Sequence, residues 1–305
     1  MKHAYFEGAI IPFEDAKISV MTHAFNYGTG VFEGIRGYWN EEKGQMYIVK
    51  LKEHYVRMLN SCKIMNIDIG KTADELCELT QELVKKNGYK EDVYIRPIAY
   101  KSEKVIGVRL HNLENDFLIY LAPFGAYLDV SKGINVCVSS WTRINDGMIP
   151  ARAKVTGVYV NSAFSKTEAM LDGYDEAIVL NKDGHVSEGS AENIFLVRDG
   201  VLITPSACED ILEGITRGAI MQMAGEELGI KVVERAIDRT ELYIADEIFL
   251  VGTGAQVSPV LTVDKRQVGG GQIGPITKKL QDIYFNAVKG NTPKYEGWLT
   301  AVYKS

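Results

Sequence analysis

The sequence lacks the cysteine spacing and the long apolar runs that mark several classes of protein. Its four cysteines, Cys62, Cys77, Cys137 and Cys208, are widely spaced and form no C-x-x-C pair. Neither a zinc site nor a disulfide framework is indicated, so we expect no metal and reduced, mostly buried thiols. No stretch of about eighteen uninterrupted apolar residues occurs, so no membrane-spanning helix is expected.

Basic residues are also too scattered to suggest a polyanionic partner. The formal net charge is -6, and no long run of Lys and Arg occurs. Nucleic acids and anionic membranes recruit clustered positive charge, so neither is expected as a partner. The first residues, M-K-H-A-Y-F-E-G, lack the apolar core and cleavage-like site of a secretion signal. We therefore expect a cytoplasmic protein that acts on small molecules.

Turn signals and hydrophobic periodicity divide the chain into two units that contain both helices and strands. We place a small α+β domain at residues 1–122, an interdomain linker at 123–132 and a larger domain at 133–305. The first domain is predicted to contain a hairpin at 4–12 around Glu7-Gly8, strands at 17–22, 37–39, 45–51, 93–100 and 117–122, and helices at 52–65 and 72–87.

The larger domain shows no regular alternation of strand and helix. Its predicted elements are a strand at 134–139, a long loop through Pro150, a helix at 158–171, a meander of strands at 176–180, 185–188 and 193–198, a helix at 214–227, a strand at 231–236, a short helix near 240–245, a strand at 247–251, a loop at 252–259 and a helix at 276–288. This order favours a mixed sheet or pseudobarrel over a doubly wound parallel sheet.

The stretch P-A-R-A-K-V-T-G-V-Y, residues 150–159, contains a candidate catalytic amine. A lysine forms a Schiff base only as the free amine, and burial of an amine among apolar groups favours that form. Lys154 stands among such groups, just before a predicted helix, where reactive side chains are often presented. Tyr159 would be its neighbour. The residues alone also allow a solvated surface lysine, which is the common situation for lysine.

Three further features could bind a ligand with a phosphate group. Glu188 ends a predicted strand among small residues, and a carboxylate can hold a pyridine ring protonated. Gly214-Ile215-Thr216 opens a helix, where unpaired amides bind anions, and Gly252-Thr253-Gly254-Ala255 follows an apolar strand. Each feature has a plain alternative, since Glu188 could be a surface residue and Thr216 only a helix cap.

Seven short motifs stand out along the chain. They are F-x-Y-G-T-G-V-F-E-G-I-R (25–36), Y-I-R-P (94–97), G-A-Y-L (125–128), A-K-x-x-G-x-Y (153–159), S-E-G-S-A-E-N (187–193), G-I-T-R (214–217) and G-T-G-A (252–255). In order and spacing the chain resembles the fold-type IV pyridoxal-phosphate enzymes from about residue 5 to the C-terminus. Within them it looks most like the branched-chain amino acid aminotransferases.

The resemblance implies a two-domain α+β fold, with a small N-terminal domain and a larger pseudobarrel domain that binds the cofactor. It implies transamination of Leu, Ile or Val with 2-oxoglutarate, dependent on pyridoxal 5′-phosphate. Lys154 would form the Schiff base and shuttle a proton at the substrate α-carbon. The other implied cofactor contacts are Glu188 at the pyridine nitrogen, Tyr159 at the ring hydroxyl, and Arg57, Ile215, Thr216 and Thr253 at the phosphate.

The resemblance also implies a substrate pocket and a dimer. The substrate α-carboxylate would meet the amides of Gly254 and Ala255. The side-chain pocket would be lined by Tyr27, Phe32, Arg96 and Tyr127, with Val108 reaching in from a second subunit of a homodimer or an assembly of dimers. Arg96 could instead be a structural arginine that ties its strand in place. The charged segment 101–115 is expected to be a solvated loop near the substrate entrance.

Some residues depart from the family pattern and leave rival activities open. Val158, Phe124 and Gly254 stand where many relatives have asparagine, tryptophan and alanine, which leaves the preferred side chain undecided. A D-amino acid aminotransferase or an aminodeoxychorismate lyase would keep the same fold and cofactor. A non-catalytic protein that binds a phosphate ligand is a further alternative, although it would not need both Lys154 and Glu188.

Overall fold

The computed structural model describes residues 1–125 and 130–303. These residues form six α-helices and seventeen strands, together with short 3-10 helices. The helices are α1 (His23–Tyr27), α2 (Leu51–Ile64), α3 (Ala73–Asn87), α4 (Tyr159–Leu171), α5 (Ile215–Leu228) and α6 (Pro275–Val288). The strands are β1 (His3–Phe6), β2 (Ala9–Pro12), β3 (Gly30–Phe32), β4 (Ile35–Asn40), β5 (Gln45–Val49), β6 (Val93–Lys101), β7 (Asn115–Pro123), β8 (Ile134–Thr142), β9 (Glu176–Leu180), β10 (Val186–Gly189), β11 (Asn193–Arg198), β12 (Val201–Thr204), β13 (Val232–Glu234), β14 (Glu247–Gly252), β15 (Gln256–Val263), β16 (Arg266–Gln267) and β17 (Leu299–Ala301).

The chain divides into two compact units that are not continuous in sequence. The first contains Met1–Gly125, Ala153–Val158 and Asn286–Ser305, and the second contains Ala126–Arg152 and Tyr159–Phe285. Among the described residues, none of the helices combines the length and the apolar character that a bilayer span requires.

The first unit is built on an antiparallel sheet. Within the described residues its strand order is β17-β5-β4-β6-β7-β1-β2, and β3 also pairs with β6. The β1–β2 hairpin turns at Glu7 and Gly8, whose φ angles are 46° and 85°. Two consecutive positive φ values are those of the type I′ turn, which matches the twist of a hairpin. The predicted hairpin is therefore confirmed.

The two long helices of this unit begin and end close to where the sequence predicts. Thr72 caps α3 and accepts a hydrogen bond from the Glu75 amide, while Glu75 binds back to Thr72. Gly88 ends the helix in the left-handed conformation at φ 67°. This reciprocal cap satisfies amides that have no partner inside the helix.

Two expectations for the first unit are wrong. Residues 17–22 form no strand, and Thr22 makes only an isolated bridge to Lys104. Ile18 and Val20 are exposed there, so extended pairing would bury no apolar face. In the segment expected to be a solvated loop, Lys101 is 1% exposed, and its Nζ donates to Asn115 Oδ1 at 2.9 Å and to the Asn66 carbonyl.

The second unit is built on a mixed sheet, as the irregular order of elements predicts. Within the described residues its strand order is β10-β9-β8-β15-β14-β11-β12-β13, and β16 pairs with β15. β8 runs parallel to both β9 and β15, and the pairs between β14 and its neighbours are antiparallel. Apolar residues from β8 to β15, including Ile194, Leu196 and Leu250, form its main core.

Two details of the second unit differ from expectation. The predicted meander is not formed, because β10 pairs with β9 while β11 pairs with β12 and β14. The predicted loop 252–259 is shorter, since β15 already begins at Gln256. The cysteines are free, and Cys62 and Cys137 are buried while Cys208 is exposed.

Candidate active site

Residues 153–158 are held by backbone pairing with β3 of the first unit. Val155 bridges Val31, and the Phe32 amide donates to the Lys154 carbonyl at 3.0 Å. The Thr156 hydroxyl donates to the Gly28 carbonyl at 2.8 Å. The short segment that contains the candidate amine is therefore fixed on both sides of Lys154.

A close glycine contact completes this attachment. The Gly157 amide donates to the Gly28 carbonyl at 3.2 Å. A Cβ at Gly28 would lie 2.8 Å from the Gly157 Cα, and Gly28 has a φ of 65°. Both facts restrict this position to glycine. The glycines predicted to bring backbone close to a ligand here bring two backbone segments together.

Lys154 lies against an aromatic ring and the second helix. Its side chain is half-buried, and its Nζ is 5.0 Å from the centre of the Phe32 ring. Its amide donates to the Ser61 hydroxyl at 3.2 Å. An amine that is only half-buried remains reachable by a small molecule, which a Schiff base requires.

Arg96 shares the Phe32 ring with Lys154. Its guanidinium carbon is 4.4 Å from the ring centre, and NH2 donates to the Tyr94 hydroxyl at 2.9 Å. Residues alternate across β6, so Tyr94 and Arg96 project from one face of the strand. Among the described residues the buried Arg96 Nε finds no hydrogen-bond partner. The arginine thus has donor capacity that a carboxylate could use.

Arg57 lies on α2 and is paired with a carboxylate. Its Nε and NH2 both bind Glu33, each at 2.7 Å, and His54 Nδ1 also lies 2.7 Å from Glu33. Burial alone would raise the pKa of Glu33, but the Arg57 charge and the hydrogen bonds of His54 and Arg57 lower it well below its usual range. Sequence reasoning assigned no role to Glu33 or His54.

In the second unit, Glu188 is the centre of a hydrogen-bonded group. Arg143 NH2 lies 2.6 Å from Glu188 Oε1. Glu188 Oε2 accepts from Asn193 Nδ2 at 3.0 Å and from the Leu212 amide at 3.1 Å. These partners stabilise the ionised form, which is the form that can hold a protonated pyridine nitrogen. Sequence reasoning missed Arg143, which lies far from the motifs, whereas Asn193 ends S-E-G-S-A-E-N.

A second glutamate of this motif differs in its protonation. Burial, together with the nearby Glu176 and Glu188 charges, raises the pKa of Glu192 to about 8. Its Oε2 accepts from the Ala191 amide at 3.0 Å. The two acids of one motif therefore carry different charges at neutral pH, because Glu188 has a cationic partner.

The start of α5 has the predicted geometry. Gly214 is the N-cap, and the buried Thr216 lies in the first turn, where helix amides have no partner within the helix. A Cβ at Gly214 would lie 2.0 Å from Asn193 Oδ1, so only glycine fits beside Asn193. Helix start and Glu188 group are thus in contact. Thr253, Gly254 and the buried Ala255 form the turn between β14 and β15.

The remaining predicted residues are distributed as follows. Tyr27 accepts a hydrogen bond from the Gly107 amide at 3.2 Å, and Val108 is 88% exposed beside it. Both therefore lie on one surface of the first unit. Tyr159 begins α4 and is half-buried. Tyr127 lies outside the described residues.

With this geometry the comparisons with known proteins agree. The sequence model of the amino-transferase class IV family matches residues 30–263. The chain belongs to this family. A probable branched-chain-amino-acid aminotransferase of Aquifex aeolicus is 54% identical over 99% of this chain and 97% of its own.

Two solved structures show how closely the fold is shared. The branched-chain aminotransferase of Thermoproteus uzoniensis, determined with norvaline, superposes with a TM-score of 0.95 at 46% identity, covering 99% of both chains. A branched-chain amino acid aminotransferase from T.th., complexed with N-(5′-phosphopyridoxyl)-L-glutamate, gives a TM-score of 0.93 at 43% identity, covering 98% of both chains. The fold-type IV architecture suggested by the motifs is confirmed.

Proposed function

We propose that this protein is a branched-chain aminotransferase that exchanges the amino group of Leu, Ile or Val with 2-oxoglutarate, giving the 2-oxo acids and L-glutamate. The strongest structural support is the pair of cations at one aromatic ring, Lys154 and Arg96 at Phe32. The ring offers an apolar face to an aliphatic side chain, and the guanidinium offers a charge to a γ-carboxylate. The relatives bound to norvaline and to a phosphopyridoxyl-glutamate adduct support both kinds of substrate.

The cofactor is pyridoxal 5′-phosphate, and the chain has groups that fit its parts. When bound, the cofactor draws the electron pair left at the substrate α-carbon into its ring. We propose that Glu188, held by Arg143 and Asn193, keeps a proton on the pyridine nitrogen, and that Tyr159 binds the ring hydroxyl. The phosphate contacts in this proposal are Arg57, Ile215, Thr216 and Thr253.

Lys154 supplies the amine to which the cofactor is attached and then moves a proton at the substrate α-carbon. Its fixed backbone positions that amine, because the Phe32 amide, Ser61 and the Thr156 hydroxyl restrain the segment. Positioning of a base within reach of the proton contributes much of its catalytic effect. Gly254 and Ala255 would bind the α-carboxylate with their amides, and Phe32, Arg96, Tyr27 and Tyr127 would define the side-chain pocket.

A substrate panel with fixed 2-oxoglutarate tests the activity. We expect turnover with Leu, Ile and Val, formation of L-glutamate in a chiral assay, and a yellow protein that borohydride bleaches. The Lys154→Ala variant is the control, since it should bind the cofactor but lose most turnover. D-Glutamate as product would identify a D-amino acid aminotransferase. A colourless protein after incubation with the cofactor would exclude both.

A homodimer is part of the proposal. α1 and the segment around Gly107 form an apolar surface that consists of Val20, Met21, Phe25, Ile106 and Val108, all exposed in the single chain. The Glu103 carbonyl accepts from the His23 amide, so the two parts of this surface are joined. Exposed apolar patches of this kind mark protein interfaces. In the dimer Val108 would reach the substrate site of the second subunit. A cytoplasmic location, which composition favours, is proposed with it.

A further inference from the structure

Glu33 is a fully buried carboxylate outside the residues so far given a role. It follows β3 directly, its side chain is 0% exposed, and its amide donates to the Pro97 carbonyl at 3.0 Å. A buried charge is very unfavourable unless it is paired and hydrogen-bonded. Its retention in the middle of the unit therefore requires a specific partner.

That partner is Arg57, one turn along α2 from His54. Glu33 Oε1 accepts from Arg57 Nε and Oε2 accepts from Arg57 NH2, each at 2.7 Å. This is the two-bond arrangement in which a planar guanidinium fits a carboxylate. His54 Nδ1 approaches Oε2 at 2.7 Å, so three short contacts converge on one acid.

The protonation states agree with this arrangement. Burial, opposed by the Arg57 charge and by hydrogen bonds, leaves the pKa of Glu33 well below its usual range, so the acid is ionised. Burial lowers the pKa of His54 even though Glu33 stabilises its charged form. The neutral imidazole then donates its Nδ1 hydrogen to Glu33 and fixes the carboxylate plane.

The consequence concerns the direction of the Arg57 guanidinium. The five N–H donors of arginine lie in one rigid plane. Once Glu33 holds Nε and NH2, the plane and the direction of every other donor are set. An unpaired arginine would instead sample many rotamers and would lose that freedom on binding an anion.

We infer that Glu33 is a positioning residue, which with His54 holds Arg57 in the orientation that binds the cofactor phosphate. The inference rests on the proposed phosphate contact of Arg57. It requires that Glu33 acts by orientation, because a second negative charge close to a phosphate would by itself weaken phosphate binding.

The test compares two probes that differ only in the phosphate, pyridoxal 5′-phosphate and pyridoxal. Each is titrated into cofactor-free protein and followed by its absorbance. Glu33→Asp keeps the charge but withdraws it by one methylene, which breaks the two-bond pair. We expect its affinity for pyridoxal phosphate to fall about tenfold or more, as for a lost charged contact, with pyridoxal unchanged.

Three further variants complete the experiment. Glu33→Gln should also weaken pyridoxal phosphate alone, and His54→Gln, which keeps a donor for Glu33, should weaken it least. Arg57→Ala should remove the difference between the two probes. Adding Glu33→Asp to Arg57→Ala should then have no further effect on either probe, because Glu33 acts through Arg57.

Several outcomes would overturn the inference. Equal losses for both probes would mean that Glu33 only supports the fold, and tighter phosphate binding in Glu33→Gln would mean that its charge repels the phosphate. Normal affinity in folded Glu33→Asp with a clear loss in Arg57→Ala would refute the role of Glu33 alone. An unchanged ratio of the two probes in Arg57→Ala would refute the phosphate contact of Arg57 itself.

Discussion

Arg96 serves a pocket that, in the proposed reaction, admits an uncharged isobutyl group in one half-reaction and a γ-carboxylate in the other. A buried cation without a partner would cost several kcal/mol in the first of these states. The Phe32 and Tyr94 rings lie 4.4 and 5.0 Å from its guanidinium, and the Tyr94 hydroxyl accepts one of its hydrogens. These contacts stabilise the cation when no carboxylate is bound.

We predict that Arg96→Gln spares the half-reaction with leucine and slows the half-reaction with 2-oxoglutarate about tenfold or more, since a charged hydrogen bond contributes roughly 1.5–3 kcal/mol. Single-turnover measurements of each half-reaction give the answer. Equal losses in both would assign Arg96 to the fold or to the α-carboxylate. No loss in either would remove it from the pocket.

At the scale of elements, the start of α5 and the Glu188 group depend on one glycine. Gly214 caps the helix, and a Cβ there would meet Asn193 Oδ1 at 2.0 Å. Asn193 also donates to Glu188 and to the Leu212 carbonyl. A larger residue would displace an amide that holds the candidate partner of the pyridine nitrogen.

Gly214→Ala should therefore destabilise the cofactor-free protein by about 1–3 kcal/mol, as overpacking of a filled site does. We also expect weaker binding of pyridoxal phosphate. Gly218→Ala is the matched control on the same helix, because a Cβ there meets no atom within 4 Å. It should stabilise the protein by roughly 0.5–1 kcal/mol. Denaturant unfolding measures both, and equal effects of the two variants would contradict the argument.

At the scale of the whole molecule, the exposed apolar surface around Phe25 and Val108 favours association. A single chain gains nothing by exposing Val108 and Ile106, which are 88% and 82% accessible. Covering them with a second chain removes apolar area from water. A charge at the centre of such a contact would be desolvated without a partner.

Val108→Asp should therefore shift the assembly toward monomers, measured by sedimentation velocity over a range of concentrations. Val108→Thr keeps the shape without a charge and serves as the control. If Val108→Asp sediments like the unmodified protein, this surface is not the dimer contact. A unit that dissociates but keeps full turnover would show that Val108 does not serve a second subunit's site.

The sequence alone determined the elements whose causes are local. The Thr72 and Glu75 cap, the Gly88 stop and the Glu7-Gly8 turn depend on residues a few positions apart, and each is formed as predicted. The motifs around Lys154 and Glu188 also identified the family without any tertiary contact. The same local reasoning failed at residues 17–22, where apolar residues face solvent.

Only the tertiary structure decided which distant segments meet. It attached Lys154 to β3 and paired Arg57 with Glu33 and Arg143 with Glu188. It also gave β11 the partners β12 and β14 in place of the predicted meander. These contacts depend on which apolar faces are buried together and on which buried charges need partners, and neither condition is expressed in the spacing of neighbouring residues.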